Sequence, residues 1–236
     1  MPPLISPPPP SPGAFAHTLF RFTTGIRAGQ LASVRGAGDE VLLTYRSFAS
    51  VVGVIAAFLA GIVAVAGAAG ILLLFYQGAP LRALLVLVLT IVFSIVIAML
   101  VPRANVTLYD ENHPALTISQ GAVFPSATYI VATPNGAHLA ELRKSFLSRL
   151  GRNRWTITQD GRYLGEAHEE SFGGALLRKL FGKFSRKFET NVRITYGGVD
   201  AGRIIRRAAD TLELTGDALD RRVAVALATL VLGREP

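Results

Sequence analysis

Cysteine is absent from all 236 residues. That one absence removes disulfide frameworks, thiolate zinc sites, cysteine nucleophiles, S-palmitoylation and prenylation together. Charge is scarce as well: 17% of the residues are Asp, Glu, Lys or Arg, against a hydrophobic share of 50%, which is leaner in charge than an average soluble domain and puts a membrane class first in line for testing. The four histidines, His17, His113, His138 and His168, are scattered, and the chain has no H-E-x-x-H, G-x-S-x-G or Walker loop. No catalytic residue, metal ligand or cofactor is assigned, and a non-enzymatic role is expected. Glu166, His168 and Glu170 alternate so as to share one face of a strand, where surface charge explains them best.

What charge there is leans basic, with 24 Lys and Arg against 16 Asp and Glu and a formal net charge of +8. Beside a membrane segment, such an excess meets anionic lipid more readily than nucleic acid. No nucleic-acid partner is expected.

The chain opens with MPPLISPPPPSPG, seven prolines in thirteen residues. Without a basic stretch followed by an apolar one this is not a signal peptide, and residues 1–13 are expected to be a disordered, polyproline-prone tail. Residues 14–46 mix aromatic, basic and small residues without a clear period. They are expected to form a cytoplasmic N-terminal segment.

Ser47 to Leu81 is an uncharged run of 35 residues bounded by Arg46 and Arg82, and a second uncharged run, Ala83 to Pro102, ends at Arg103. Each can cover a hydrocarbon core about 30 Å thick, which predicts spans at about 48–76 and 81–101. Gly78 and Pro80 interrupt the helix between them, and so short a connection makes the two antiparallel neighbours in a transmembrane hairpin, 47–102. Arginines 21, 27, 35 and 46 before the first span, and a basic domain after the second, put both termini in the cytoplasm, at the inner (plasma) membrane if the source is bacterial. Gly53, Ala57 and Gly61 recur at every fourth position, and Ala60, Ala64 and Ala68 repeat the spacing one row over. Ridges of this kind admit close approach of the partner helix or of a second copy, and Gly53, Ala57 and Gly61 are the homo-oligomer contact this predicts. Neither span holds an ionisable side chain, so the pair is expected to be an anchor and not an ion path.

After Arg103 the pattern changes to short β-branched and aromatic segments separated by turn residues. NVTLY-DENHP-ALTIS, TYIVAT-PNG-AHLAEL, RWTIT-QDG-RYLGEA and NVRITY-GGVDAG-RIIRRA read as four hairpins, with Asn135-Gly136 and Asp160-Gly161 supplying positive φ. Eight or more antiparallel strands are enough to curl into a barrel, which removes exposed strand edges. The ending, TLELTGDALDRRVAVALATLVLG, predicts a helix over 218–232 with Asp217 as N-cap and Gly233 just past its end. From Val223 onward it is apolar on every side, so it needs cover on every side, which the lumen of a barrel provides. Arg221 and Arg222 in its first turn oppose the helix dipole and call for Asp217 and Asp220 as compensating partners.

The hairpin series from about Asn105, the PNG and QDG turns and the terminal block TLELTGDALDRRVAVALATLVL together resemble the tubby C-terminal-like superfamily, in particular phospholipid scramblases and LURP-one-related proteins. The resemblance covers residues 103–236 and implies a barrel of about twelve antiparallel strands closed around a hydrophobic C-terminal helix. This chain departs from the pattern by having no cysteine for lipidation. Asp210, Glu213, Asp217 and Asp220 lack the D-x-[DN]-x-[DN]-G spacing of a calcium loop, which puts calcium control in doubt. The two apolar spans are a further departure.

Two basic runs stand out. In ESFGGALLRKLFGKFSRKFE, residues 170–189, Arg178, Lys179, Lys183, Arg186 and Lys187 interleave with leucines and phenylalanines, the pattern of an interfacial amphipathic segment. In LRKSFLSRLGRNRW, Arg143, Lys144, Arg149 and Arg152 stand without an acid among them. At about 1 kcal/mol for each cation near an anionic leaflet, these nine side chains are the candidate headgroup-binding residues. The sequence thus predicts a membrane-anchored all-β domain with a helix inside it, preceded by a two-helix transmembrane hairpin and partnered by anionic phospholipid. The alternative is a membrane-tethered, non-enzymatic adaptor or scaffold, pleckstrin-homology-like or tubby-like, that binds a protein partner.

Overall fold

The computed structural model describes residues 13–23, 31–100, 104–121, 123, 126–145, 153–170, 191–206 and 210–232. Twelve antiparallel strands close into a single barrel in which each strand pairs with its neighbours in sequence and β12 returns to β1. They are β1 Leu19–Phe22, β2 Leu31–Arg35, β3 Val41–Ala49, β4 Ala104–Asp110, β5 His113–Gln120, β6 Ser126–Ala132, β7 His138–Ser145, β8 Arg154–Gln159, β9 Arg162–Glu169, β10 Val192–Tyr196, β11 Val199–Ile205 and β12 Thr211–Leu214. Three helices accompany them among the described residues: α1 Val51–Tyr76, α2 Pro80–Leu100 and α3 Arg221–Leu232.

The barrel does not begin after Arg103, as the sequence reading had it. Residues 14–46, expected to lie outside it, supply β1, β2 and the start of β3, and the two long helices are inserted between β3 and β4. Those strands pair in register up to the insertion, with Phe48 opposite Asn105 and Ala49 opposite Ala104. The helical pair is therefore a loop of the barrel and not a domain that precedes it.

Four of the tight connections are the expected hairpins, with the turn chemistry moved in two of them. Glu111-Asn112, Asp160-Gly161 and Gly197-Gly198 each adopt positive φ at both residues, the twist a two-residue hairpin needs. In the PNG turn Gly136 alone takes positive φ, at 81°, and Asn135 does not. GGVDAG is a turn only at its first two residues, and Val199 already belongs to β11.

Alternate residues of the strands, among them Phe20, Phe22, Val34, Leu43, Leu116, Leu142, Trp155, Ile157, Ile194 and Leu212, are buried in one core with α3. That helix is buried from Val223 to Val231 and touches β1 and β12 on one side and β5 and β7 on the other, so it occupies the lumen as its all-round apolarity requires. Thr229, its one polar side chain within that stretch, donates to the Val225 carbonyl at 2.8 Å. The helix starts at Arg221 and not at 218, and the N-cap role falls to Asp220, whose carboxylate accepts from the Arg222 backbone N–H at 2.9 Å. Residues 216–219 form bends ahead of it. Both acids compensate the first-turn cations: Asp217 pairs with Arg221 and Asp220 with Arg222, and the hydrogen bonds that the Arg222 guanidinium donates to Asp220 hold it still more firmly in its charged form.

α1 is long and apolar enough to cross a membrane, while the apolar stretch described for α2, Pro80–Ser94, is shorter. The helices part at Gly78 and Pro80 as expected: α1 ends at Tyr76 and Pro80 opens α2, in the first-turn position where its missing N–H costs nothing. The two helices pack along a seam. On α1 the shielded positions Gly53, Ala56, Ala60, Val63, Gly67, Gly70 and Leu74 alternate steps of three and four; on α2 Ala83, Val86, Thr90 and Ser94 face them, a spacing that suits left-handed crossing. Gly67 is the tight point, since a Cβ there would lie 2.4 Å from the Thr90 hydroxyl oxygen. Of the predicted ridge, Gly53 enters this seam, but Ala57 and Gly61 face outward, and nothing lies within 4 Å of a Cβ built at Gly61.

Candidate functional site

Strand direction sorts the connections onto two rims. One rim collects the tight turns at 36–40, 111–112, 133–137, 160–161 and 197–198. The other collects Ala49 and Ala104, the feet of the helical insertion, and also the strand ends that flank residues 24–30, 146–152, 171–190 and 207–209. Helix α3 runs from the first rim to the second. Arg221 at its start donates to the Ala16 carbonyl just ahead of β1, and the Val231 carbonyl at its end accepts from Arg206 just after β11.

Both predicted basic runs therefore leave and rejoin the barrel at the insert rim. Arg149, Arg152, Arg178, Lys179, Lys183, Arg186 and Lys187 lie outside the described residues. Arg143 and Lys144 lie in β7 and diverge, because neighbours in a strand point to opposite faces. Arg143 is exposed, with its guanidinium 3.6 Å from Glu141. Lys144 is drawn into the lumen, 8% exposed, with its ammonium 5.2 Å from the centroid of the Trp155 ring, and Tyr129 packs on the same ring at 5.7 Å. The structure thus separates the two: Arg143 faces outward beside Glu141, and Lys144 is a cation–π partner inside the barrel.

The feet of the basic runs meet at one buried carboxylate that sequence reasoning missed. Glu169 ends β9 with 0% exposure, immediately before residues 170–189. It accepts from the Asn153 backbone N–H at 3.1 Å and from the Asn153 side-chain amide at 3.0 Å, and Asn153 is the first described residue after the 146–152 run. The Arg206 guanidinium lies 3.9 Å away and also donates to the last turn of α3. Arg206 N–H donates in turn to the Asn191 side chain at 3.2 Å, and Asn191 O accepts from Glu170 N–H at 3.0 Å. A buried charge is tolerable only with this kind of satisfaction. Its effect is to hold the exit of one basic run, both feet of the other and the end of the core helix in a single cluster. The signal was in the sequence as parity: Gly165, Ala167 and Glu169 share a face, as do Ala140, Leu142 and Lys144.

Glu166, His168 and Glu170 do lie on the outer wall, within an ion-pair lattice over β8 to β11. Glu166 pairs with Arg154 and lies 3.7 Å from the His168 ring, Glu170 pairs with Arg193 and Arg203, and Asp200 with Arg193. The four acids of the terminal block are dispersed as well: Asp217 and Asp220 serve the start of α3, while Asp210 stands just ahead of β12 and Glu213 lies within it. Among the described residues no three His, Asp or Glu are grouped to hold a metal ion.

Comparison with protein-family models, with curated proteins and with solved structures finds no match to this chain.

Proposed function

We propose that this chain is a membrane-anchored, lipid-interacting protein of phospholipid scramblase-like, tubby-like type: α1 and α2 cross the bilayer as a hairpin, and the insert rim of the barrel faces anionic headgroups. The observation that carries the reading is the shared rim, where the feet of the helices and the feet of both basic runs come together, the latter tied through Glu169. A closed barrel around an apolar C-terminal helix, the architecture the family resemblance implies, speaks for the family part of the proposal.

The topology also bears on how the helices meet the membrane. β3 and β4 pair through Ala49 and Ala104, so both ends of the insertion stay on one side of any bilayer, and a single crossing by α1 would separate them. The chain must cross an even number of times. Away from their seam both helices expose large apolar side chains, among them Phe58, Val65 and Leu72 on α1 and Leu84, Leu85 and Phe93 on α2. Contiguous apolar surface of that extent calls for lipid cover. The excess of arginines around the barrel supports a cytoplasmic position for it and for both termini.

The test uses the barrel with residues 50–103 replaced by Asn-Gly, a two-residue turn joining paired strand ends, in flotation with vesicles of phosphatidylcholine alone or mixed with phosphatidylserine. Binding to the anionic vesicles only, weakened by salt and abolished by reversing Lys183, Arg186 and Lys187 to glutamate, is the expected result. Equal binding before and after charge reversal would sink the headgroup reading in favour of a protein-binding scaffold. Scrambling itself is read separately, with the full chain in liposomes carrying fluorescent lipid, where bleaching confined to the outer leaflet would refute it.

A further inference from the structure

We infer that the outer wall of β2 and β3 at the insert rim is a second membrane contact, which sets how the barrel leans on the bilayer: Leu31 and Phe48 lie in the lipid interface with Arg46 between them. The inference rests on the bilayer reading above and adds to it a specific face of the barrel.

Ala32, Val34, Leu43 and Tyr45 are buried in the core, so by strand parity Leu31, Arg46 and Phe48 point outward. Leu31 is directly opposite Arg46 in the β2–β3 register, and the Arg46 guanidinium stacks 5.4 Å above the Phe48 ring. Leu31 is 68% exposed and Phe48 41%. Among the described residues, the other exposed large hydrophobics of the barrel, Val41, Tyr163 and Val199, lie in the first or second position of their strands at the far rim. The wall across the barrel, over β8 to β11, carries the ion-pair lattice instead. The insert rim therefore has an apolar flank and an ion-paired flank.

Chain geometry says what covers the apolar flank. Phe48 is three residues ahead of Val51, where α1 begins under its Ser50 cap, a reach of at most about 10 Å in extended chain. The polar layer of each leaflet is about 5 to 8 Å deep. With the exposed residues of α1 in hydrocarbon from Val51 onward, the Phe48 ring falls in that layer, the level that aromatic side chains favour, and Arg46 stacked on it sits among the phosphates. Leu31 lies farther along the wall by about two residues, or ~7 Å, and reaches the layer when this flank tilts toward the bilayer and the ion-paired flank tilts away.

Four tryptophan reporters in the full chain decide it: Leu31→Trp, Phe48→Trp, Phe58→Trp on α1 and Tyr163→Trp at the far rim, all at exposed positions. Each is reconstituted in vesicles with or without lipid brominated near the headgroup or deep in the acyl chain, and the wild-type signal of buried Trp155 is subtracted. Loss of fluorescence at Phe58→Trp with the deep quencher, at Phe48→Trp and Leu31→Trp with the shallow one, and none at Tyr163→Trp is the expected pattern. Quenching at Phe58→Trp without quenching at Leu31→Trp and Phe48→Trp overturns the leaning contact and leaves the anchor standing. No quenching at Phe58→Trp overturns the bilayer reading and the contact with it, and equal quenching at Tyr163→Trp overturns the asymmetry.

Discussion

Asn153 gives both its backbone N–H and its side-chain amide to the Glu169 carboxylate, at 3.1 and 3.0 Å, so the strand that enters the barrel after one basic run is fastened to the strand that leaves before the other. Glu169→Ala removes the buried carboxylate and leaves Arg206 without it. The expected cost is about 3 to 5 kcal/mol, against about 1 to 2 kcal/mol for Asn153→Ala, which removes one amide. Urea unfolding of the barrel with the insertion excised measures both. If the cluster also sets the two runs side by side, Glu169→Ala weakens anionic-vesicle binding although every cation is retained, and unchanged binding would separate the cluster from the rim's function.

Gly67 sets the spacing of α1 and α2. Its substitution by leucine drives a side chain into Thr90, where a bare Cβ would already be 2.4 Å from the hydroxyl. Because the chain has no cysteine, a Gly70→Cys, Val86→Cys pair can report the seam: a Cβ at Gly70 lies 3.8 Å from a Val86 methyl, close enough for a disulfide with small adjustment. Oxidation should cross-link this pair in the parent and fail when Gly67→Leu is added. Gly61→Leu, whose Cβ meets nothing within 4 Å, should leave the cross-link intact. A change of oligomeric state in detergent on Gly61→Leu would show that a second copy packs against that outward ridge.

The core helix has no slack on any side. Leu227 is fully buried between strands, and Leu227→Ala is expected to cost about 2 to 5 kcal/mol through lost burial and a residual cavity. Asp220→Ala is expected to cost about 0.5 to 2 kcal/mol by removing the N-cap. Calorimetry on the excised barrel gives both values; equal small losses would mean that α3 lies outside the lumen.

Burial pushes the Tyr45 phenol well above its ordinary pKa, and the nearby Asp210 carboxylate adds to the shift. The neutral form is the one the fold accommodates. Stability from this group is therefore complete below pH 10 and is lost as pH climbs from 10 toward the folded-state value, because the unfolded chain releases the proton first. Absorbance at 295 nm should show the Tyr45 phenolate appearing only with unfolding, and Tyr45→Phe should flatten the alkaline fall in melting temperature. A phenolate signal from Tyr45 in the folded barrel near pH 10 would contradict its burial.

Much of this was legible because local chemistry dictated it. Long uncharged runs have few destinations, Asp-Gly and Gly-Gly pairs specify tight hairpins, and a helix apolar on every side needs a lumen. What escaped was set by partners distant in sequence. Residues 14–46 hold β1, β2 and the start of β3, and F-R-F alternates in and out over β1, but the partners that close these strands into the barrel, β12 for β1 and β4 for β3, lie far along the chain. The choice of Asp220 over Asp217 depended on bends at 216–219 that the acids themselves do not specify. Lys144 read as a surface cation because its neighbours in sequence are basic, whereas its neighbours in space are Trp155 and Tyr129.

The insertion of α1 and α2 within the barrel also imposes an order in time. A ribosome delivers β1 to β3 before the helices, and β1 has no second partner until β12 is made. On the bilayer reading proposed above, the helices enter the membrane while the barrel is still open, since a closed barrel would already have fixed Ala49 beside Ala104. Once β12 and α3 lock into place, the two feet can neither part nor turn over, and on that reading the protein is a rivet whose head is set after its shaft has gone through.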